Sequence, residues 1–162
     1  MVMNNVQVSD NIFNQKNQDL ILDYCEDCSY TYGETDDGKN PPTGMVHNIP
    51  KNEKVYELFA EQIAISVPET QNMHLYRMYV NCFAPSENPY FHIDGDSGIT
   101  FLYYPQRNWQ LDDGGETQFY IDGTLYGITP ESNRLVMFDA RIRHRATSFR
   151  NRHRFTVAIK YE

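Results

Sequence analysis

A mainly β domain with two helices at its N-terminal end is the fold class this sequence predicts, and three observations carry it. Five short runs rich in β-branched and aromatic residues lie between Met73 and the last residue, clusters of turn formers separate them, and helical periodicity is confined to the stretch before Pro68. Twelve Tyr and nine Phe in 162 residues push the same way. Many short, evenly spaced strands with no helix between them pack as a sandwich or barrel. One domain is expected over 1–162, with 1–72 as helical support and loop and 73–162 as the β core.

The elements follow in chain order. Ser9 and Asp10 can cap a first helix over 11–24, with Ile12, Leu20 and Ile21 among its apolar positions. In the second helix Val55, Leu58, Phe59, Gln62 and Ile63 recur at helical spacing, and Pro68 lies just beyond its end. Between the helices, residues 33–44 hold five Gly and Pro residues, Gly33, Gly38, Pro41, Pro42 and Gly44, and read as a long surface loop of the kind that forms lids or plain insertions. Strands are predicted over 75–83, 99–104, 116–121, 135–138 and 155–159, divided by clusters such as Pro85–Pro89, Asp112–Gly115 and Asp122–Gly123.

Composition bounds the function. No apolar run reaches the roughly 18 residues of a membrane span, and the first residues lack the basic and apolar regions of a signal peptide, so a cytoplasmic protein is expected. Three cysteines cannot close a disulfide framework, and Cys25-Glu-Asp-Cys28 has no second such pair to complete a zinc site, so free thiols are expected. The net charge of −8 argues against nucleic acid as a partner. The charge is uneven, however: residues 134–162 carry eight of the fourteen Lys and Arg and two of the twenty-two acids. There Arg141, Arg143 and Arg145, and again Arg150 and Arg152, stand two apart. The bland reading is a solvated sheet face neutralised by the protein's own acids; the other is a rim that attracts an acidic peptide or a nucleic acid.

The chemistry concentrates in His92-Ile-Asp94. On a strand, residues two apart face the same way, so this tripeptide sets an imidazole beside a carboxylate. Two His and one carboxylate on one face of iron(II) leave three positions for a chelating cosubstrate and dioxygen. Asp96 is an alternative carboxylate. His144 and His153 are the later histidines available as the third ligand; His47 and His74 have no partner at ligand spacing and read as a loop and a strand residue. A cosubstrate such as 2-oxoglutarate carries a distal carboxylate suited to a buried Arg. An Arg about ten residues past the second His, on the neighbouring strand of a hairpin, meets that need, and Arg154 follows His144 by ten. Thr156, facing the same way as Arg154, offers a hydroxyl to the same carboxylate.

These residues resemble the iron(II)- and 2-oxoglutarate-dependent dioxygenases, prolyl-hydroxylase-like branch. His92-Ile-Asp94 is similar to the family's HxD, Thr100-Phe-Leu-Tyr-Tyr with Trp109 to a strand of the branch, and Gly114-Gly-Glu-Thr117 to its Gly-Gly-Glu-Thr turn. Arg134-Leu-Val-Met-Phe-Asp139, His144 and Arg154 complete the order over about 75–161. The resemblance implies a double-stranded β-helix, or jelly roll, with the two N-terminal helices packed on one sheet. It implies His92, Asp94 and His144 as metal ligands and as catalytic residues together with Arg154, and Arg154, Thr156 and Tyr104 around 2-oxoglutarate, with Tyr103 taking the place of Tyr104 if the strand is shifted by one. Iron(II) and 2-oxoglutarate are the implied cofactors, with ascorbate as a candidate reductant. Pro105-Gln106 and Ala146 depart from the branch's pattern and bear on the pocket wall rather than the ligands.

The expected reaction is hydroxylation of an unactivated C–H bond with release of succinate and carbon dioxide. A prolyl residue in a peptide or protein is the first substrate expectation; a free amino acid or other small molecule is the second. The alternative of another class is a non-catalytic jelly-roll module binding a metal or ligand, from which the full set of four residues distinguishes this chain.

Overall fold

The computed structural model describes residues 6–35 and 38–162. In chain order it contains β1 (Val6–Ser9), α1 (Gln15–Asp27), β2 (Thr31–Tyr32), β3 (Met45–Asn48), α2 (Lys54–Ser66), β4 (Leu75–Phe83), β5 (Ile99–Tyr104), β6 (Thr117–Ile121), β7 (Thr124–Ile128), β8 (Arg134–Asp139), β9 (Arg143–Ala146) and β10 (Arg154–Tyr161). A seven-stranded antiparallel sheet runs β1-β8-β5-β10-β4-β3-β2 and a three-stranded one runs β7-β6-β9. The two sheets form the expected jelly roll, with α1 and α2 on the outer face of the larger.

Alternation along β10 shows how the layers are specified. Val157, Ile159 and Tyr161 join the helix-facing core with Phe59 and Ile63 of α2 and Ile21 and Cys25 of α1. Arg154, Thr156 and Lys160, at the intervening positions, line a cavity between the sheets. A period of two thus assigns one side of a strand to the apolar layer and the other to polar chemistry. β4 does the same, with Met78 and Val80 in the helix-facing core and Arg77, Tyr79, Asn81 and Phe83 on the cavity.

Several local expectations shift. The first helix starts at Gln15, later than expected, because Asn14 rather than Ser9 or Asp10 supplies the cap: its side chain accepts from the Asn17 backbone N–H at 3.0 Å. Ser9 instead ends β1, which pairs with β8 at the edge of the large sheet. The first 72 residues therefore contribute three strands as well as two helices. The second helix buries Val55, Phe59 and Ile63 as its stripe requires. β7 was not anticipated, although its signal was present. Asp122 and Gly123 both have positive φ, 49° and 78°, the geometry of a two-residue turn that closes β6 and β7 into a hairpin.

The loop between β2 and β3 borders the cavity rather than standing away from it. Glu34, Thr35, Thr43 and Gly44 line the opening, and Glu34 grips Arg77 through paired bonds of 2.7 and 2.6 Å. Asp36 and Asp37 of that loop lie outside the described residues. No helix among the described residues is long and apolar enough to cross a membrane.

Candidate active site

His92 and Asp94 are not on a regular strand. They lie on the connection between β4 and β5, where a single antiparallel bridge joins His92 to His144 of β9 through two backbone bonds of 3.0 Å. The Asp94 N–H then donates to the Ala140 carbonyl at 2.8 Å. The expected juxtaposition holds, but two short backbone anchors make it, not a strand ladder.

The three side chains converge. His92 Nε2 is 3.5 Å from Asp94 Oδ1 and His144 Nε2 is 3.6 Å from Asp94 Oδ2. Each imidazole places its Nδ1 on a backbone carbonyl two residues earlier, His92 on Tyr90 at 3.1 Å and His144 on Ile142 at 2.9 Å. A carbonyl only accepts, so each Nδ1 carries the proton and each Nε2 turns a lone pair toward Asp94. Burial drives His144 down to about 4, so its ring is neutral at pH 7. Phe119 and Phe138 pack against that ring, with centroids 5.9 and 4.6 Å away. Burial alone would raise the Asp94 carboxyl, but the polar groups around it, among them the Lys160 ammonium, hold it well below the usual carboxylate range. Two lone pairs and a carboxylate facing one another at these distances repel unless a cation lies among them. Ligand atoms about 2.1 Å from an ion and at right angles would be about 3 Å apart, so a small adjustment accommodates one. Among the described residues this is the group of three suited to a metal, and it fits iron(II) with three positions open. Asp96 is exposed and stands outside it.

Two residues that the sequence reading did not assign complete the Asp94 environment. Thr100 donates to Oδ2 at 2.6 Å and Lys160, nearly buried, donates to Oδ1 at 2.8 Å. The signal for Lys160 was present, since it shares parity with Arg154 and Thr156 on a strand that otherwise reads as apolar.

Arg154 is 1% exposed and fully enclosed by neutral oxygens: Nε donates to the Gly115 carbonyl at 2.8 Å, Nη1 to Thr156 Oγ1 at 3.1 Å and Nη2 to Thr117 Oγ1 at 2.9 Å. No carboxylate among the described residues bonds it. A buried cation left without an anion is costly, and burial accordingly lowers its pKa. The hydroxyls of Thr156 and Thr117 accept from the guanidinium and keep their own protons to donate, so the three groups together suit a carboxylate. Gly115 is required here. Its φ is +84° and a Cβ would lie 2.3 Å from the Phe149 ring, so another residue would displace the carbonyl that holds Arg154.

The expected hairpin between His144 and Arg154 does not exist. β9 belongs to the small sheet and β10 to the large one, where β10 lies between β5 and β4. The two residues line one cavity from opposite sheets, and Thr117 of β6, the strand paired with β9, bonds Arg154. The tyrosine alternative is also resolved in space. Tyr104 donates its hydroxyl to Thr117 Oγ1 at 2.7 Å, and its ring lies 5.5 Å from the Arg154 guanidinium carbon. Tyr103 points into the opposite layer, packed edge-on against Phe13 and Phe59 with its hydroxyl on Asn133 at 3.1 Å, so it is a core residue and does not reach the cavity.

The remaining expectations fall as follows. His47 is on β3, bonded to Tyr24 and the Ser29 carbonyl, and His74 precedes β4 and pairs with Glu162; their loop and strand assignments are exchanged. Gln106, one of the departures from the branch, spans from the His153 carbonyl to the Phe155 N–H at 2.6 and 2.7 Å, anchoring the start of the strand that carries Arg154. Ala146 lines the cavity. All three cysteines are free thiols.

The family model described as the 2OG-Fe(II) oxygenase superfamily matches residues 73–161. Among curated proteins no sequence match is found. In structure, a prolyl-4-hydroxylase from Pseudomonas putida superposes with a TM-score of 0.82 at 14% identity, covering 99% of this chain and 94% of the other. A Trichoplax adhaerens prolyl hydroxylase in complex with a hypoxia inducible factor peptide gives 0.80 at 18% identity, covering 98% and 84%. HygX from Streptomyces hygroscopicus, with nickel and 2-oxoglutarate bound, gives 0.74 at 12%, covering 97% and 82%. With more than half of its length matched by the family model, this chain belongs to the 2OG-Fe(II) oxygenase superfamily and is a 2-oxoglutarate-dependent dioxygenase.

Proposed function

We propose that the chain hydroxylates a prolyl residue in a peptide or protein, with iron(II) held by His92, Asp94 and His144 and with 2-oxoglutarate held at its distal carboxylate by Arg154. The observation that carries this reading is the buried Arg154 guanidinium, enclosed by neutral oxygens in the same cavity as the two imidazoles and the carboxylate. When bound, iron(II) and 2-oxoglutarate supply the oxidising chemistry, in which dioxygen gives one oxygen atom to the substrate and one to succinate as carbon dioxide leaves.

The chain's own residues hold and orient. His92 and His144 present Nε2 because their Nδ1 protons are engaged, and Thr100 and Lys160 fix the rotamer of Asp94 so that its oxygens face the imidazoles. Thr156 and Thr117 add hydroxyl donors beside Arg154, and Tyr104 orients Thr117 by donating to it. Phe119, Phe138 and Leu102 exclude water around the ring of His144 and the cavity floor. Support for a peptide substrate comes from the two prolyl hydroxylases above, one of them bound to a peptide.

The test is mass spectrometry of proline-containing peptides after incubation with iron(II), 2-oxoglutarate and ascorbate, alongside succinate formation. Gain of one oxygen on a prolyl residue is the expected result. Oxygen gain confined to a free amino acid or other small molecule, or succinate formed with every peptide unchanged, overturns the prolyl reading.

A further inference from the structure

The arginines of the C-terminal region differ in whether a carboxylate of the chain neutralises them. Arg134 pairs with Asp10, Arg141 with Asp139 and Arg152 with Asp113. Arg143 and Arg145, which flank the buried His144 on β9, have no carboxylate partner among the described residues. Arg145 bonds only the neutral Gln118 and lies 4.6 Å over the ring of Phe91. The acids on the same face, Glu116 and Asp122, form no ion pair with either; Glu116 instead takes the Thr147 hydroxyl.

The strand register arranges these cations into a surface. On the outer side of the small sheet, Leu125 stands opposite Tyr120 and Tyr120 opposite Arg143. The bridge between His92 and His144 extends the same register by one more segment, which sets Phe91 beside Arg145 and Ile93 beside Arg143. Leu125, Tyr120 and Ile93 are 51%, 48% and 44% exposed. A stripe of apolar, aromatic, cationic and apolar side chains therefore crosses the sheet and ends at Ile93, between two of the proposed metal ligands and on the cavity lining. Exposed apolar groups in line with an unneutralised cation mark a binding surface, and a protein of net charge −8 keeps this one positive.

We propose that this stripe docks the segment flanking the hydroxylated residue of a polypeptide substrate, and that this segment is acidic, with an apolar side chain beside its carboxylate. Arg143 takes the carboxylate, with Arg145 adding to the potential, and Tyr120, Leu125 and Ile93 take the apolar neighbour. The inference rests on the peptide-hydroxylase reading and adds its substrate class.

The test is fluorescence anisotropy of two labelled peptides on the metal-free full chain. Each contains one proline and one leucine; one is flanked by aspartates and the other by lysines. The aspartate peptide is expected to bind more tightly, with an affinity that falls as salt rises, and Arg143→Glu is expected to weaken it by about tenfold or more. Tyr120→Ala, a surface change that leaves the charge intact, is expected to weaken both peptides. Equal affinity for the two peptides, indifference to Arg143→Glu, or a preference for single-stranded DNA over the aspartate peptide overturns the proposal, as does a dimer in sedimentation that Tyr120→Ala dissociates. The two readings fail separately: binding through Arg143 without oxygen gain keeps the surface and rejects prolyl chemistry, whereas oxygen gain indifferent to Arg143→Glu does the reverse.

Discussion

Lys160 Nζ lies 2.8 Å from Asp94 Oδ1, and β10 thereby places one cation against the proposed metal-binding carboxylate and another, Arg154, at the far side of the same cavity. Six residues of strand span about 20 Å, so the two long side chains approach the cavity from opposite ends. The arrangement gives the strand a division of labour: one cation meets an anion of the protein itself, the other waits for an anion from outside.

Removing the Lys160 charge should destabilise the metal-free protein, because it leaves a buried carboxylate without its counter-ion. Breaking such a pair costs about 3–5 kcal/mol. Lys160→Met is therefore expected to lower the melting temperature of the metal-free form, and manganese(II) should restore more stability in the variant than in the parent, since the ion then supplies the missing positive charge. Thermal scans with and without the ion check this; an equal gain in both proteins would show that Lys160 does not serve Asp94.

Arg154→Ala should raise the 2-oxoglutarate concentration needed for half-maximal succinate formation by about tenfold to a hundredfold, the range of a lost charge-assisted bond of about 1.5–3 kcal/mol. The iron(II) requirement should change far less. Thr117→Val should move the same parameter in the same direction by less, because it removes the hydroxyl that Arg154 and Tyr104 share. Titrations of each cosubstrate separate these effects.

The two adjacent tyrosines should behave oppositely. Tyr103→Phe removes a buried bond to Asn133 in the helix-facing layer and is expected to cost about 1 kcal/mol of stability while the 2-oxoglutarate requirement stays at the parent value. Tyr104→Phe is expected to raise that requirement. Denaturant unfolding and cosubstrate titration of both variants decide the matter, and an exchanged pattern would contradict the placement of the two hydroxyls.

The metal-free protein should lose stability on acidification between about pH 6.5 and pH 4. His144 titrates near 4 when folded, below its ordinary 6.5, so across that window the unfolded chain binds the extra proton and stability rises with pH. The depressed Asp94 carboxyl works in the same direction at still lower pH, since it too must be protonated on acidification. The effect of His144 is of the order of 3 kcal/mol at neutral pH. Urea unfolding at pH 7, 5.5 and 4.5 measures it, and His144→Gln should flatten the dependence.

What the sequence determined by itself is local in its physics. Strands β4, β5, β6, β8 and β10 were legible because each is long enough for alternation and aromatic content to register, and α2 because three buried residues recur on one face. The short strands β1, β2, β3 and β9 carry two to four residues each, and at that length pairing with neighbours distant in sequence decides. His92, Asp94, His144 and Arg154 could be chosen from spacing and residue chemistry.

Only the tertiary structure decided how they meet. Sheet membership is non-local, so nothing in the ten-residue spacing could show that His144 and Arg154 stand on opposing sheets. The same holds for Lys160 and Thr100, which reach Asp94 through packing across the sandwich. Tyr103 and Tyr104 differ by one position in a period of two, and which of them joins Thr117 between the sheets was fixed by the layer that the helices cover.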